Sequence, residues 1–242
     1  PPAAQIGKTA GERVIKRLNP RKVPTGKYPV VFDPRVSRTI LGHLSGAING
    51  PSIARGVSFL KDKLGEQILP IGTLVVDDPF VKRGLRSRPF DGEGLAPMSR
   101  NIIENGTLTT WFLDLRSARQ LGLESTAHAS RGSSGNPSPS PSNLVLAAGR
   151  ISPEELIRET GTGLYVTELM GQGVNMVTGD YSRGAGGFWI ENGEIAYPVG
   201  EITIAGNLLD MFMSMTVADD LERKYGVDAP TLRIEGMTIA GS

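Results

Sequence analysis

The stretch 161–206, GTGLYVTELMGQGVNMVTGDYSRGAGGFWIENGEIAYPVGEITIAG, constrains the fold more than any other part of the chain. Short apolar runs at 164–166, 174–177 and 188–190 alternate with glycine-rich punctuation, a pattern that predicts successive antiparallel strands joined by tight connections. The sharpest local signal is Glu191-Asn192-Gly193-Glu194. Asn-Gly readily takes the two positive φ angles of a type I′ turn, so 188–190 and 195–197 are predicted to form a two-residue hairpin. Pro198 donates no backbone hydrogen bond and is expected to limit how far the returning strand pairs. The polar cluster Thr178-Gly179-Asp180-Tyr181-Ser182-Arg183-Gly184 has two readings. It is either a glycine-flanked rim offering Asp, Ser and Arg to a ligand, or an Asx-turn at Asp180 with a solvated Arg183.

A β-rich body is also what the composition favours: 31 glycines in 242 residues, about 13% against a usual value near 7%, call for many turns and close backbone approaches. The 26 basic side chains nearly balance the 25 acidic ones. No global field therefore recruits nucleic acid or an anionic membrane surface. With no cysteine, thiolate chemistry, disulfides and cysteine-based zinc sites are excluded. The longest apolar run, 208–218, is broken by polar residues and too short to span a bilayer. It reads as a buried helix whose methionines fill the core rather than form a binding surface. The first residues, Pro1-Pro2-Ala3-Ala4-Gln5, carry neither an initiating Met nor a signal-peptide core, as expected of a piece of a longer or processed protein.

Taken in order, Ile6, Ala10, Val14 and Leu18 lie four apart along one helical face over 6–18, with basic residues elsewhere on its surface. Residues 28–32 read as a strand, after which Asp33-Pro34 supplies an N-cap and a proline at the first helical position. The predicted helix runs over 34–48, with Gly42 and Gly46 spaced as they would be where another backbone packs closely. A second helix is expected from about Ser52 through Leu64. Residues 72–77 read as a strand and 83–94 as a charged, glycine-rich loop containing Asp91 and Glu93. That carboxylate pair either performs acid–base chemistry or forms turns. Residues 99–115 hold a second Asn-Gly hairpin, at Asn105-Gly106, which echoes the first and hints at duplication. The Ser-, Pro- and Gly-rich stretch 125–143 is predicted to be an extended or mobile surface loop, 143–147 a strand, 153–161 a helix capped by Ser152, and 231–239 a final strand.

Few chemistries fit. Only two histidines are present, His43 and His128, without the helical spacing of a zinc hydrolase or a Gly-x-Ser-x-Gly elbow. His43 reads as a helix residue facing a polar neighbour, and His128 falls in the segment expected to be mobile. Arg131-Gly132-Ser133-Ser134-Gly135 lacks the Gly-Lys-Ser/Thr of a phosphate loop.

Several motifs nevertheless occur together and in order: Ser152-x-x-Glu155-Leu156-Ile157, Gly163-Leu164-Tyr165-Val166, Gly173-Val174-Asn175, Thr178-Gly179-Asp180-Tyr181-Ser182, Ile190-Glu191-Asn192-Gly193-Glu194, Ile204-Ala205-Gly206-Asn207-Leu208 and Gly236-Met237-Thr238-Ile239-Ala240-Gly241. From about residue 25 onward the chain thereby resembles the C-terminal portion of the TldD/PmbA family, also called modulators of DNA gyrase. The resemblance implies a cytoplasmic two-subunit zinc metallopeptidase acting on peptides and unfolded segments. One subunit of that system, the TldD type, carries His-Glu-x-x-x-His on the helix after a Tyr-Pro-apolar strand. Gly42, His43 and Ala47 occupy those positions here, so the chain is similar to the PmbA (TldE) type, the metal-free partner. No cofactor is then expected on this chain and no catalytic residue. Its expected partners are a TldD-type subunit and peptide, or a second copy when alone, with neither nucleic acid nor membrane. Asn175, Asp180, Tyr181, Ser182 and Arg183 are the candidate peptide or interface residues. The other readings are an independent hydrolase using Asp180 and Ser182 or Asp91 and Glu93, and a peptide-binding module without catalysis. The expected architecture is α+β: β-rich, mostly antiparallel sheets in a distorted barrel-like arrangement with several packed helices. Residues 1–64 are read as a mainly helical segment with one strand, and 65–242 as the β-rich domain.

Overall fold

A computed structural model describes residues 2–241. Its elements in order are α1 (Ala3–Lys16), β1 (Gly26–Phe32), α2 (Pro34–Ala47), α3 (Gly50–Ala54), β2 (Val75–Asp78), β3 (Arg100–Glu104), β4 (Thr107–Leu108), α4 (Leu115–Leu121), β5 (Ala129–Ser130), β6 (Ser138–Pro139) and β7 (Asn143–Leu146). The second half comprises α5 (Pro153–Thr160), β8 (Gly163–Met170), β9 (Asp180–Glu191), β10 (Glu194–Asn207), α6 (Leu208–Met213), β11 (Met215–Val217), β12 (Val227–Asp228) and β13 (Leu232–Ala240).

The expected α+β, β-rich and mostly antiparallel architecture is present. One sheet runs β1-β8-β9-β10-β13, with β13 pairing back onto β1, so five strands close into a barrel and β11 extends the β13 edge. Only the β1–β8 pairing in this ring is parallel. Closure leaves the ring without a free edge along its paired lengths, which is the barrel's solution to the edge-strand problem. A second sheet runs β12-β7-β2-β3-β4.

Both Asn-Gly turns form as their chemistry dictates. Asn105 and Gly106 have φ of 50° and 83°, and Asn192 and Gly193 of 54° and 78°, the two positive values that only such residues adopt at little cost. The two hairpins belong to different sheets. Asp33 caps α2 by accepting from Arg35 N at 3.0 Å, and Ser152 caps α5 by accepting from Glu155 N at 3.1 Å; each cap contributes about 1 kcal/mol.

Helix α2 is wedged between the two sheets. Its Ile40, Leu41 and Leu44 meet Val75 and Leu146 of the five-stranded sheet together with Phe212, Met215 and Leu232 from the barrel side. Strand β1 is covered on both faces, since Val30 and Phe32 join the main core while Val31 packs with Leu156, Ile190 and Ala218 beneath α5. Helix α1 differs: none of its residues is buried, and Ile6, Val14 and Ile15 are more than half exposed.

Several local expectations need correction. The second helix stops at Ala54 because Gly56 turns left-handed at φ 68°, and 57–64 follows as a series of turns. Strand β10 runs through Pro198 to Asn207. The register shifts on either side of that residue, and these bulges accommodate the missing N–H. Residues 174–177 are not a strand: Val174 makes one bridge to Tyr181, and Asn175 Oδ1 then accepts from Val177 N and Thr178 N to build a turn. The run 208–218 splits into α6 and β11, with Ser214 Oγ donating back to Asp210 O at the break and the β-branched Thr216 and Val217 pairing with β13. The stretch 125–143 is largely anchored, because β5 and β6 pair and Thr126, His128 and Ser142 are buried. Among the described residues, no helix is long and apolar enough to cross a membrane.

Candidate functional site

Tyr181 leads away from the turn at 174–179 into β9, where alternation sends Asp180 and Ser182 outward and Tyr181 inward under α2. Gly179 N donates to Asn175 O and Asn175 N to Asp180 O, both at 2.8 Å, which tightens the turn. The side chain of Asp180 accepts from Thr178 Oγ1 at 2.6 Å, and Asn207 Nδ2 donates to Thr178 O at 3.0 Å, tying the turn to the far end of β10. The candidate residues Asn175, Asp180, Tyr181, Ser182 and Arg183 thus gather at one end of the β9–β10 ribbon, beside α2.

Across from them His43 projects from α2. Its ring meets that of Tyr181 edge-on, with centroids 5.8 Å apart and planes at 73°. Neither ring finds a polar partner: His43 Nε2 and the Tyr181 hydroxyl are both buried without a hydrogen bond. The expected polar neighbour of His43 is therefore an aromatic ring, with the Arg183 cation nearby. Burial, and secondarily the Arg183 charge, push the imidazole down to about 4. Burial pushes the Tyr181 phenol well above its ordinary range, opposed by Arg183. At neutral pH this is a pair of uncharged polar rings.

The other two positions singled out on α2 part company. Gly42 is exposed, with open space where a Cβ would be, whereas Ala47 is fully buried in the main core. No backbone packs against Gly42, and Gly46 meets only the end of the Met176 side chain. The close backbone approach expected there is absent.

The remaining candidate groups are consumed by structure. Asp91 is buried; its Oδ1 accepts from Glu93 N and Leu95 N at 2.9 Å and its Oδ2 from Ala129 N at 3.1 Å, while Glu93 Oε2 accepts from Leu115 N at 2.8 Å. Sequence reasoning missed one polar cluster. His128 Nδ1 lies 2.8 Å from Thr126 Oγ1, its Nε2 lies 3.1 Å from Asp77 Oδ2, and Ser142 Oγ donates to the same carboxylate oxygen. All four are sealed from solvent, so the cluster ties the segment 125–143 to β2 and has no route to a substrate. Neither imidazole hydrogen-bonds Ser182 or Asp180.

The unpartnered imidazole makes a prediction about acid stability. The folded-state value of about 4 lies below the usual 6.5, so the unfolded chain binds the proton first. The full stability is present above pH 6.5 and falls as the pH drops toward 4, by on the order of 2–3 kcal/mol from this group. His43→Phe should flatten that segment of a denaturant-midpoint-versus-pH curve while leaving neutral-pH stability nearly unchanged. An unaltered slope between pH 6.5 and 4 would remove His43 as its source.

Comparison with known proteins adds a family. Residues 25–241 match the PmbA/TldA metallopeptidase C-terminal domain. The metalloprotease PmbA of Escherichia coli O157:H7 is 48% identical over 237 residues, covering 98% of this chain and 51% of that protein. Of solved structures, a Thermotoga maritima protein described as a candidate modulator of a DNA gyrase superimposes with a TM-score of 0.89 at 35% identity, over 98% of this chain and 55% of that one. TldE from Thermococcus kodakarensis superimposes with a TM-score of 0.87 at 26% identity, again over 98% of this chain and 55% of that one. The chain spans about half the length of the curated relatives it matches.

Proposed function

The chain belongs to the PmbA/TldA metallopeptidase family, and from that membership we propose that it is the metal-free half of a two-subunit zinc peptidase. The other half is a TldD-type subunit, which supplies the zinc and cleaves peptides or unfolded segments. The observation that carries this reading is the donor set on α2. Zinc needs three or four nitrogen, sulfur or oxygen ligands around one point. At the family's motif positions this chain offers Gly42, His43 and Ala47, and the one imidazole has its Nε2 closed off against Tyr181. Among the described residues no group of three or more His, Asp or Glu side chains could hold a metal ion. The residues present do not fit zinc, and no catalytic step is assigned to them.

In this reading the turn at 174–179 and the start of β9 form a wall of the chamber or of the subunit interface. Asn175, Asp180 and Ser182 present polar groups there, while the Tyr181 ring packs the wall against His43 of α2. A cytoplasmic location follows from the same family role. The gyrase connection in a relative's description finds no support in the balanced charge of the chain.

Co-expression with a TldD-type subunit tests the proposal. The two chains should co-purify at equal stoichiometry, and peptide cleavage should require both. Metal analysis of this chain alone should find well under one zinc per molecule. Stoichiometric zinc together with peptide cleavage by the isolated chain would overturn the reading.

A further inference from the structure

We propose that the cleft between loop 79–88 and turn 223–226 binds an acidic peptide segment, with alternating carboxylate and apolar side chains, at a site separate from the α2 wall. The cleft has a volume of about 400 Å³, and its rim carries Lys82 and Arg83 from one segment and Arg223 from the other. None of these three takes part in an ion pair among the described residues, whereas Lys224 beside them is paired with Glu222. The one carboxylate lining the cleft, Asp228, is occupied: it accepts from Tyr225 N at 2.8 Å and Gly226 N at 3.0 Å. Three cations that form no ion pair therefore line a concave surface whose one carboxylate is held by backbone N–H groups, in a chain whose total charge is only +1.

The rim is built rather than loose. Asn143 holds loop 79–88 through two hydrogen bonds, donating to Ser87 Oγ at 2.9 Å and accepting from Arg86 N at 3.1 Å, and donates to Asp78 O at the end of β2 at 2.7 Å. Gly84 packs so closely on Ser87 and Asn143 that a Cβ would lie 2.6 Å and 2.7 Å from their oxygens. The opposite rim hangs from β12, which pairs with β7, the strand that carries Asn143. The backbone that carries both sets of cations is thus tied to one pair of strands. Arginine binds carboxylates strongly and, where the geometry permits, in bidentate fashion.

Leu85 decides what kind of anion fits. It lines the same cleft with 74% of its surface exposed, and Phe80 on the same loop is 60% exposed. Apolar groups beside unpaired cations match a peptide that alternates Asp or Glu with Leu or Phe, whereas a sugar-phosphate backbone makes no use of them.

Fluorescence anisotropy of the purified protein with a short fluorescein-labelled peptide alternating glutamate and leucine tests this. Saturable binding is expected that weakens as salt is raised from about 0.05 to about 0.5 M, the range over which screening removes exposed charge contacts. The variant Lys82→Glu/Arg83→Glu/Arg223→Glu should lose affinity about tenfold or more, and a charge-matched control, Lys27→Glu/Arg55→Glu/Lys61→Glu, should stay within about twofold. If the first variant does not melt like the parent, Arg223→Gln alone carries the comparison. Equal losses in site and control variants, no salt-sensitive binding, or tighter binding of a single-stranded oligonucleotide of equal charge would each overturn the proposal. The outcome is independent of whether this chain pairs with a zinc-bearing subunit.

Discussion

Gly187→Val is expected to leave no stably folded domain. Gly187 sits in β9 opposite Val166 of β8, where the register shifts by one residue, and a Cβ added to it would fall on the Tyr165 carbonyl oxygen, far inside van der Waals contact. Backbone cannot swing aside as the end of a long side chain can. The strand would have to leave either the bulge or the barrel, and because the ring is closed, a gap at β8–β9 also loosens β1, which is held by β8 on one side and β13 on the other. More than about 4–5 kcal/mol is at stake, an exceptional cost for one substitution and comparable to the whole stability of many domains. The measurement is soluble yield followed by thermal melting. The informative contrast is Gly42→Ala, at an exposed helical site with open space, where about 0.5–1 kcal/mol of added stability is expected. Wild-type melting of Gly187→Val would mean that the bulge does not form as described.

The second large effect concerns an attempt to restore the family's metal motif. Gly42→His, His43→Glu and Ala47→His in one chain should yield no zinc site and a markedly weaker fold. In this chain Gly42 faces solvent and Ala47 has no exposure at all. An imidazole at 47 enters a filled apolar core, where overpacking and an unpaired polar group together cost about 3 kcal/mol or more. For a domain of this size that lowers the melting temperature by roughly 6–12 °C. Gly42→His alone should be benign. One tightly bound zinc per chain with an unchanged melt would show that α2 can rearrange to bring the two positions together.

The legible parts of the fold were those in which a few adjacent residues decide the outcome. Asn-Gly fixes two left-handed residues in a row, so both hairpins could be read directly, as could the Asp33-Pro34 and Ser152-Pro153 helix starts. What escaped was decided by tertiary pairing. Helix α4 is capped reciprocally by Asp114 and Ser117, but its seven residues carry too little periodicity to mark a helix in the sequence. The apolar run 208–218 looked like one helix because buried helices and buried strands are equally apolar; only pairing of Met215, Thr216 and Val217 with β13 divides it. Low-complexity composition suggested mobility for 125–143, yet His128, Thr126 and Ser142 gather around Asp77, a contact between distant segments that no local pattern announces. At the candidate site, sequence places Gly42, His43 and Ala47 on one helix and Tyr181 in a turn. It could not show that His43 and Tyr181 would meet as two unsatisfied rings.

The pairing of β1 with β13 also has a consequence for synthesis. Gly26 lies opposite Ile239 and Phe32 opposite Leu232, so the seam of the barrel joins its first strand in sequence to its last. On the ribosome β1 must wait, its strand edge unsatisfied, until Leu232–Ala240 has emerged. Such long-range closure is slow and exposes strand edges to other nascent chains. Truncation before Leu232 would remove β13 altogether, leaving β1, β10 and β11 without the neighbour they share. Without β13 the ring has no closing strand, and the edges of β1 and β10 are left open to pair with other chains.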